Sequence, residues 1–411
     1  MPTDRSVLTD PAFIRLWTGT TASGLATWAL PFILGLALAE GTVTAVDLGL
    51  LLAVRTAGFL VSVPVAGVIA DRYSRRRVIV WACGAAALAA PVIAWGITVS
   101  LPIALVAAAV TGAGQGACRP AFQALVTEVV APHRRQPANA AVTFAVRGSV
   151  LLAPGVTVAV GQWLDVVGLI MMTGALWMTA ALAPPAGTHR GAGRGSGGLA
   201  TDFGSGVREA GRHRWFLAGL AALATVITTG YSVTGVVLPI VSAEDYGGEA
   251  VLAGAMTAYT FGALIGAVLM SRWQPRRPGW VALVGLAGYA LAPVSLVFAG
   301  PAVTVFVAYT VVGVGVEVFN VGWFTSVQRE VAADKLARVS SLDFMVSYGL
   351  APVGLALIAP AVEVFGTAPV LWVCAGACLV APVWAMTARG ARDFVTGRRR
   401  LHEDAPSGSA S

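Results

Sequence analysis

The sequence has few charged residues for its length. Only 11% of its 411 residues are Asp, Glu, Lys or Arg, whereas about 25% of the residues of an ordinary soluble domain are charged. So few charges do not cover the surface of a soluble fold of this size. Because 57% of the residues are hydrophobic, much of the surface must meet lipid. The composition therefore predicts an integral membrane protein.

Cysteine and histidine are also scarce. Four cysteines lie inside apolar runs and form no CxxC pair, which predicts buried thiols and no metal ligands. The four histidines fall in predicted loops or tails, and no segment reads Gly-x4-Gly-Lys-Ser/Thr. We find no motif of a nucleophilic enzyme, a metal centre or an ATP-driven pump. We therefore expect no enzymatic activity and no bound cofactor or metal, which argues against a membrane enzyme or a passive sensor.

Apolar runs of about 20 residues, the length that crosses a bilayer, recur along the chain. The first six occupy 14–39, 47–70, 78–99, 101–124, 139–162 and 164–185. The second six occupy 214–242, 250–271, 280–299, 301–327, 340–362 and 367–388. We expect an all-α membrane protein with twelve transmembrane helices in two pseudo-symmetric six-helix bundles, 1–185 and 214–388. The polar segment 186–213 is predicted to be a flexible cytoplasmic linker, and 389–411 a basic, disordered cytoplasmic tail.

The positions of the basic residues test this count. With the N-terminus inside, the loops on the inside carry the arginines, and the outside loops carry only acids such as Glu40, Asp165 and Glu363. One miscounted span would mix the two sets. The net charge of +7 is therefore attributed to the arginines of the inside loops, which set the topology, and we expect no nucleic acid partner. Twelve spans with this distribution of charge predict a multi-pass protein with both termini cytoplasmic. The arginine, alanine and glycine bias indicates a GC-rich bacterial genome, so we expect the cytoplasmic (inner) membrane of a bacterium.

The two halves show weak internal repetition. A shift of 200 residues brings Arg72 onto Arg272 and Arg76 onto Arg276. A shift of 198 residues brings Ala153-Pro154 onto Ala351-Pro352. Weak similarity of this kind is typical of transporters built from two six-helix bundles.

The second inside loop reads Gly67-Val-Ile-Ala-Asp71-Arg72-Tyr-Ser-Arg75-Arg76-Arg77. It resembles the signature loop between helices 2 and 3 of the major facilitator superfamily, although Ser74 stands where the family usually has glycine. Residues 120–125 with 139–141, and residues 328–352, resemble the enterobactin-exporter-like and macrolide-efflux-like branch. The resemblance implies a monomeric efflux antiporter, as in multidrug resistance. Such a transporter uses the proton gradient and alternating access to export a small amphiphilic molecule.

The resemblance also implies a latch at the cytoplasmic end. Asp71 ends span 2. Residues 340–343 resemble a capping box and predict the start of span 11, and the free backbone amides of that helix start attract a carboxylate. Arg72 and Arg76 would pair with nearby acids. Arg75 and Arg77 are interpreted as topology determinants only. The alternative is that Arg72 and Arg76 also serve only to set the topology. The candidate latch residues are Gly67, Asp71, Arg72, Arg76, Ser340 and Asp343.

Polar side chains recur at helical spacing on spans 1, 4, 7 and 10, the spans that line the central cavity in that family. The stripes are rich in Thr and Gly, which favours a hydrophobic or amphiphilic substrate such as a drug, siderophore or secondary metabolite. A proton-coupled importer of a small metabolite is the alternative. The candidate cavity residues are Thr20, Thr27, Gln115, Arg119, Gln123, Thr228, Ser232 and Asn320.

Four charged residues lie well inside predicted spans, away from the span ends: Arg55, Arg119, Arg147 and Glu317. A charge facing lipid at mid-depth costs at least about 2.5–3.5 kcal/mol, so these side chains should face protein or a wet cavity. Because a buried carboxylate gains and loses protons near neutral pH, we predict that Glu317 couples transport to protons through a contact with Arg119. The alternative is a local hydrogen bond of Glu317, with Arg119 reaching the cytoplasm. Arg55 is interpreted mainly as a packing or gating residue.

Overall fold

The computed structural model describes residues 6–188, 199–248, 250–298 and 300–396, and these residues contain helices but no strand. Eleven of the described helices are long and apolar enough to cross a membrane, and the shorter apolar helix Val166–Leu182 makes a twelfth. We call these spans 1 to 12 in chain order. The first six are Pro11–Ala39, Val46–Arg72, Arg75–Val99, Leu101–Val129, Pro132–Val160 and Val166–Leu182. The second six are Arg214–Glu244, Ala250–Arg272, Pro278–Val297, Ala302–Glu330, Leu336–Phe365 and Thr367–Ala385. Each span lies on one of the predicted apolar runs, so the predicted fold class is confirmed.

Side-chain caps fix several helix starts. The Asp10 carboxylate accepts a hydrogen bond from the Ala12 amide at 2.9 Å, at the start of span 1. Thr44 and Asp47 form a capping box at the start of span 2. Asp165 accepts from the Gly168 amide at 2.8 Å, at the start of span 6. These caps satisfy amides that have no partner within their own helix.

Glycines bring two pairs of spans into close contact at equivalent places in the two halves. In the first half, a Cβ on Gly112 of span 4 would lie 1.8 Å from the Arg55 carbonyl oxygen of span 2. In the second half, a Cβ on Gly313 of span 10 would lie 2.0 Å from the Tyr259 carbonyl oxygen of span 8. Small residues of this kind let backbones approach each other in membranes. The repetition supports two related six-helix halves.

Several spans of the second half are not regular α-helices. Span 7 contains two π-helical segments, Ile227–Tyr231 and Val233–Val237. Span 11 consists of the helices Leu336–Gly349 and Ala351–Phe365, which meet at Leu350. The two irregular regions are in contact, because a Cβ on Gly354 would lie 2.3 Å from the Ser232 Oγ. Such breaks are common at functional sites.

The start of span 11 differs from the prediction. The helix begins at Leu336, so Ser340 and Asp343 lie inside it and do not form a capping box. Asp343 is buried and accepts a hydrogen bond from the Trp323 indole at 3.1 Å. The apolar run alone did not reveal the earlier start, because the first turn contains Arg338 beside Lys335.

Two segments that the sequence predicted to lack structure are ordered in part. Residues Leu199–Arg212 form a helix, which we call the linker helix, whereas the glycine-rich stretch 191–198 lies outside the described residues. In the predicted tail, Phe394 is fully buried and packs against Trp215 with ring centroids 5.0 Å apart. The prediction of a disordered tail is therefore wrong for residues 389–396, and residues 397–411 lie outside the described part. The four cysteines are buried and free, as predicted.

Candidate functional site

The described hydrogen bonds between spans 1–6 and spans 7–12 lie on one side of the bundle. We call this side the basic end, because span 2 ends there at Arg72 and the arginine-rich loops lie there. The contacts run inward from the helix ends to about the middle of spans 5 and 10, where Arg147 meets Glu317. The described residues thus form an interface that is closed at the basic end.

Asp71 connects span 2 to the first turn of span 11. Its carboxylate is fully buried and accepts hydrogen bonds from the Ala337 amide at 3.2 Å and the Arg338 amide at 3.1 Å. These are free amides of a helix N-terminus, where the helix dipole favours a negative charge. The Arg338 guanidinium lies 3.4 Å from the same carboxylate. Asp71 therefore faces the start of span 11, at residues 337 and 338 instead of the predicted 340–343.

Gly67 lets spans 2 and 11 approach each other one turn before Asp71. A Cβ at this position would lie 2.5 Å from the Ser341 Oγ and 2.8 Å from the Ala337 carbonyl oxygen. Real Cβ atoms do not approach so closely, and the backbone oxygen has little freedom to move. The close contact thus requires glycine here.

Arg75 was interpreted as a topology determinant only, and this interpretation is wrong. Its side chain is fully buried and forms an ion pair with Glu128 at 2.8 Å. It also donates to the Ala124 carbonyl oxygen at 2.9 Å and, across the interface, to the Ala333 carbonyl oxygen. Asp71 lies 3.9 Å away. Arg75 follows Asp71 by four residues across the break between spans 2 and 3, so no helical spacing in the sequence indicated this contact. Its ion pair with Glu128 on span 4 became visible only in the fold.

The other two arginines of the predicted latch take different places. Arg76 donates to the Pro184 carbonyl oxygen at 3.0 Å, which ties span 3 to the end of span 6 within the first half. This bond differs from the predicted pairing with an acid. Arg72 is half-buried at the last turn of span 2.

A pair of amide side chains joins spans 5 and 10 next to this latch. Asn139 Nδ2 donates to Gln328 Oε1 at 2.9 Å, and Gln328 Nε2 donates to Asn139 Oδ1 at 3.2 Å. Gln328 also donates to the Gln123 carbonyl oxygen at 3.1 Å. We call Asn139, Gln328 and Gln123 the amide clasp. Gln123, a predicted cavity residue, thus lies in the closed interface.

Glu317 pairs with Arg147 at the inner limit of the interface. The Glu317 carboxylate is fully buried, and Arg147 Nε donates to its Oε1. Asn320, a predicted cavity residue, donates to both carboxylate oxygens at 3.3 Å. The Arg147 guanidinium lies 5.8 Å from the centre of the Tyr259 ring on span 8. Arg147 is 23% exposed, so the pair lies where the interface begins to open.

Arg119 does not contact Glu317, so the predicted pairing is wrong for this structure. Arg119 donates to the Tyr348 hydroxyl and lies 5.0 Å from the centre of the Tyr348 ring. The Arg119 guanidinium also lies 5.9 Å from the centre of the Phe59 ring, which belongs to the neighbouring span 2. The reason is geometric: span 4 packs against spans 2 and 11 here, while span 5 carries Arg147 to span 10.

Arg55 joins three spans of the first half. It donates to the Thr27 carbonyl oxygen of span 1 at 3.0 Å and to Gln115 Oε1 of span 4 at 2.7 Å. The predicted stripes on spans 1 and 4 therefore meet at this arginine. Because Gln115 and Arg119 are one turn apart on span 4, Arg55 and Arg119 are close neighbours.

The hydroxyls of three other predicted cavity residues, Thr20, Thr228 and Ser232, bond to their own helices. Thr20 donates to the Leu16 carbonyl oxygen at 3.0 Å, and Thr228 donates to the Ala224 carbonyl oxygen at 2.9 Å. Ser232 is fully buried beside Gly354, in the irregular part of span 7. These bonds satisfy the hydroxyls without a ligand, so a substrate contact at these residues stays a prediction.

Comparison with known proteins agrees with the architecture. The family model described as Major Facilitator Superfamily matches residues 16–354 and 220–408. A search of curated proteins finds no match. Three solved structures illustrate the likeness. The human organic anion transporter MFSD10 (TETRAN) is 14% identical with a TM-score of 0.74, over 94% of this chain and 100% of that one.

A variant of the E. coli fucose:proton symporter FucP is 15% identical with a TM-score of 0.71, over 93% of this chain and 99% of that one. A bacterial homologue of the iron transporter ferroportin, in an outward-facing state, is 16% identical with a TM-score of 0.70, over 93% of this chain and 98% of that one. At these identities the likeness concerns the fold.

Proposed function

This chain belongs to the Major Facilitator Superfamily, and we propose that it is a proton antiporter that exports a small hydrophobic or amphiphilic compound from a bacterial cell. Family membership makes it a multi-pass secondary active transporter and not an enzyme. The observation that carries the proposed mechanism is the ion pair between Arg147 and the buried Glu317, which links the two halves at the limit of their interface.

In this mechanism the basic end lies in the cytoplasm. The positive-inside rule puts loops rich in Lys and Arg on that side. Asp71, Arg75 and the amide clasp then close the cytoplasmic side. This structure is thus the outward-facing one of the two conformations between which the transporter alternates. Asp71 acts as a latch that holds span 2 against span 11.

Protons reach Glu317 from outside in this arrangement. The partly exposed Arg147 lies beside the carboxylate, so water can approach the pair. A protonated Glu317 loses its attraction to Arg147, and the contact between spans 5 and 10 weakens. The groups that face Glu317 are Arg147 on span 5, Asn320 on its own span and Tyr259 on span 8.

This order of events supports antiport. Proton binding to Glu317 from outside weakens its contact with Arg147 and lets the cytoplasmic end open. The proton then leaves to the cytoplasm, substrate binds, and the ionised Glu317 draws Arg147 back as the end closes. Import by symport requires substrate and proton to enter the outward-facing state together. The predicted stripes of spans 1 and 7 consist of hydroxyl and small side chains, which favours an amphiphilic substrate.

The test is gradient-driven uptake in inside-out vesicles, with a cationic probe (ethidium) and an anionic one (2-naphthalenesulfonate). An inside-acid pH gradient should drive uptake of at least one probe by the wild type. Glu317→Gln should abolish the response to the gradient, because the neutral amide binds no proton at physiological pH. Probe exchange without a gradient should survive in this variant.

Glu363→Gln is the matched control, since Glu363 is an exposed acid at the far end of span 11. It should respond to the gradient as the wild type does. A Glu317→Gln protein with wild-type gradient-driven uptake would contradict the proposed proton coupling. Accumulation only in right-side-out vesicles under an inward proton gradient would show an importer instead.

A further inference from the structure

We infer that the transported compound is an anion, a small amphiphile whose carboxylate, sulfonate or phosphate group binds between Arg55 and Arg119. The inference rests on the proposed function only in taking the space between the two halves as the substrate site. It is independent of the direction of transport and of proton coupling.

The charge balance inside the bundle favours an anion. Three arginines lie within the spans away from the basic end, at positions 55, 119 and 147, and Glu317 neutralises only Arg147 within 4 Å. In the part of the chain that the structure describes, Arg55 and Arg119 make no ion pair with a carboxylate. Their partners are a backbone carbonyl, an amide and a phenol, all of which are neutral.

The other buried acids are already engaged elsewhere. Asp343 accepts a hydrogen bond from the Trp323 indole. Asp71 receives two amides and the Arg338 guanidinium at the basic end, and Glu128 pairs with Arg75. The interior of the bundle therefore carries two positive charges that no described carboxylate balances. A buried charge without a counterion is costly, and an anionic ligand would remove that cost.

The two arginines also keep unused hydrogen-bond donors. A guanidinium has five N–H donors in a planar fork. The Nε of Arg55 is buried without a hydrogen-bond partner, and the described bonds of this residue both come from Nη2. Arg119 uses Nη1 for Tyr348. Forked donors of this kind match the paired oxygens of a carboxylate, sulfonate or phosphate.

Aromatic rings beside the arginines suit the rest of the substrate. The rings of Phe59 and Tyr348 lie 4.8 Å apart next to Arg119. Aromatic walls beside two arginines suit a flat apolar body that carries an acidic group.

Binding to the purified protein tests this inference without any gradient. The probes are 2-naphthalenesulfonate and 2-naphthyltrimethylammonium, which share an aromatic body and differ in the sign of the charge. We expect the sulfonate to raise the thermal unfolding temperature of the detergent-solubilised protein in a saturable way, and the ammonium compound not to. Equal or stronger stabilisation by the ammonium compound, or no stabilisation by either probe at millimolar concentration, would overturn the inference.

Arginine variants locate the site. Arg55→Gln and Arg119→Gln should each weaken sulfonate binding by about ten- to a hundredfold, which corresponds to the loss of one charge-assisted interaction. Arg55→Lys and Arg119→Lys keep the charge and should retain most of the binding, which guards against variants that fold poorly. Arg77→Gln removes an exposed arginine at the basic end and should bind as the wild type does. Sulfonate binding that survives both glutamine substitutions would also overturn the inference.

The two proposals fail separately. Loss of the gradient response without loss of sulfonate selectivity would remove proton antiport and leave the anion site. Gradient-driven transport of the ammonium probe alone would leave antiport and remove the anion site. If both hold, exchange of one monoanion for one proton moves two positive charges inward, so an inside-negative potential should accelerate export.

Discussion

The latch at Asp71 gives the sharpest quantitative prediction. In Asp71→Asn the side chain keeps one oxygen acceptor but gains an NH2 group, which faces one of the two amides of span 11. The variant also loses its attraction to the Arg338 guanidinium at 3.4 Å. All of these contacts join the two halves, so the substitution destabilises the closed basic end relative to the open one.

The size of the effect follows from the interactions that the substitution removes. A hydrogen bond to a charged group contributes about 1.5–3 kcal/mol net, and one such bond disappears together with an ion pair. The burial cost of the carboxylate offsets part of this loss. We therefore expect the free energy of opening to fall by about 2–4 kcal/mol, with a value closer to 2 than to 4 kcal/mol. At about 1.4 kcal/mol per tenfold change, the open population should rise by at least roughly thirtyfold.

Alkylation of a Ser341→Cys thiol measures this population. Ser341 is fully buried between spans 2 and 11, so a bulky maleimide reacts only when the basic end opens. The assay uses a background in which the four native cysteines are replaced. Asp71→Asn should raise the reaction rate at least about thirtyfold. Asp165→Asn removes a cap within the first half and should not change it. Equal rates for Asp71→Asn and the wild type would refute the latch.

Two further predictions concern neighbouring contacts. Gly67→Ala should also speed alkylation of the Ser341→Cys thiol, because the new methyl group would lie 2.8 Å from the Ala337 carbonyl oxygen. Gly35→Ala is the control and should not change the rate, because its methyl group would meet nothing within 4 Å. The hydrogen bond from Lys335, at 2.8 Å, is the main cause that holds the pKa of Glu209 on the linker helix below its ordinary value of 4.5. Glu209→Gln should therefore lower the thermal unfolding temperature at pH 7. The difference should vanish as the pH falls below 4.5 and the carboxylate of the folded wild type is protonated, whereas a constant difference would contradict this pairing.

The fold was predictable because its signals are local. A span requires about 20 apolar residues in a row, and the segregation of arginines checks the count without knowledge of any contact. The helix stripes that carry Gln115 and Arg119 likewise follow from a period of 3.6 residues. These features depend on one helix at a time.

The pairing of Glu317 was not predictable on the same basis. The sequence gives the depth of a charge along its own span, and both Arg119 and Arg147 were available to Glu317. The choice depends on which spans touch: span 5 packs against spans 8 and 10, whereas span 4 packs against spans 2, 3 and 11. Arg75 was misjudged for a related reason, because the sequence does not tell which arginine of a basic loop turns inward.

The chemistry of the closed end bears on how easily it opens. If the interface were held mainly by buried ion pairs, opening would have to separate several charges at once. The amide clasp consists instead of neutral groups, and such bonds exchange with water at a net cost of about 1 kcal/mol each. The amides that hold Asp71 belong to a helix N-terminus, which water also satisfies when the end opens. Two charged pairs also cross the interface, Asp71 with Arg338 at the basic end and Glu317 with Arg147 at the middle of the bundle. In the proposed mechanism a proton at Glu317 removes the electrostatic barrier at the middle of the bundle, and the neutral contacts of the clasp can then be exchanged for water stepwise.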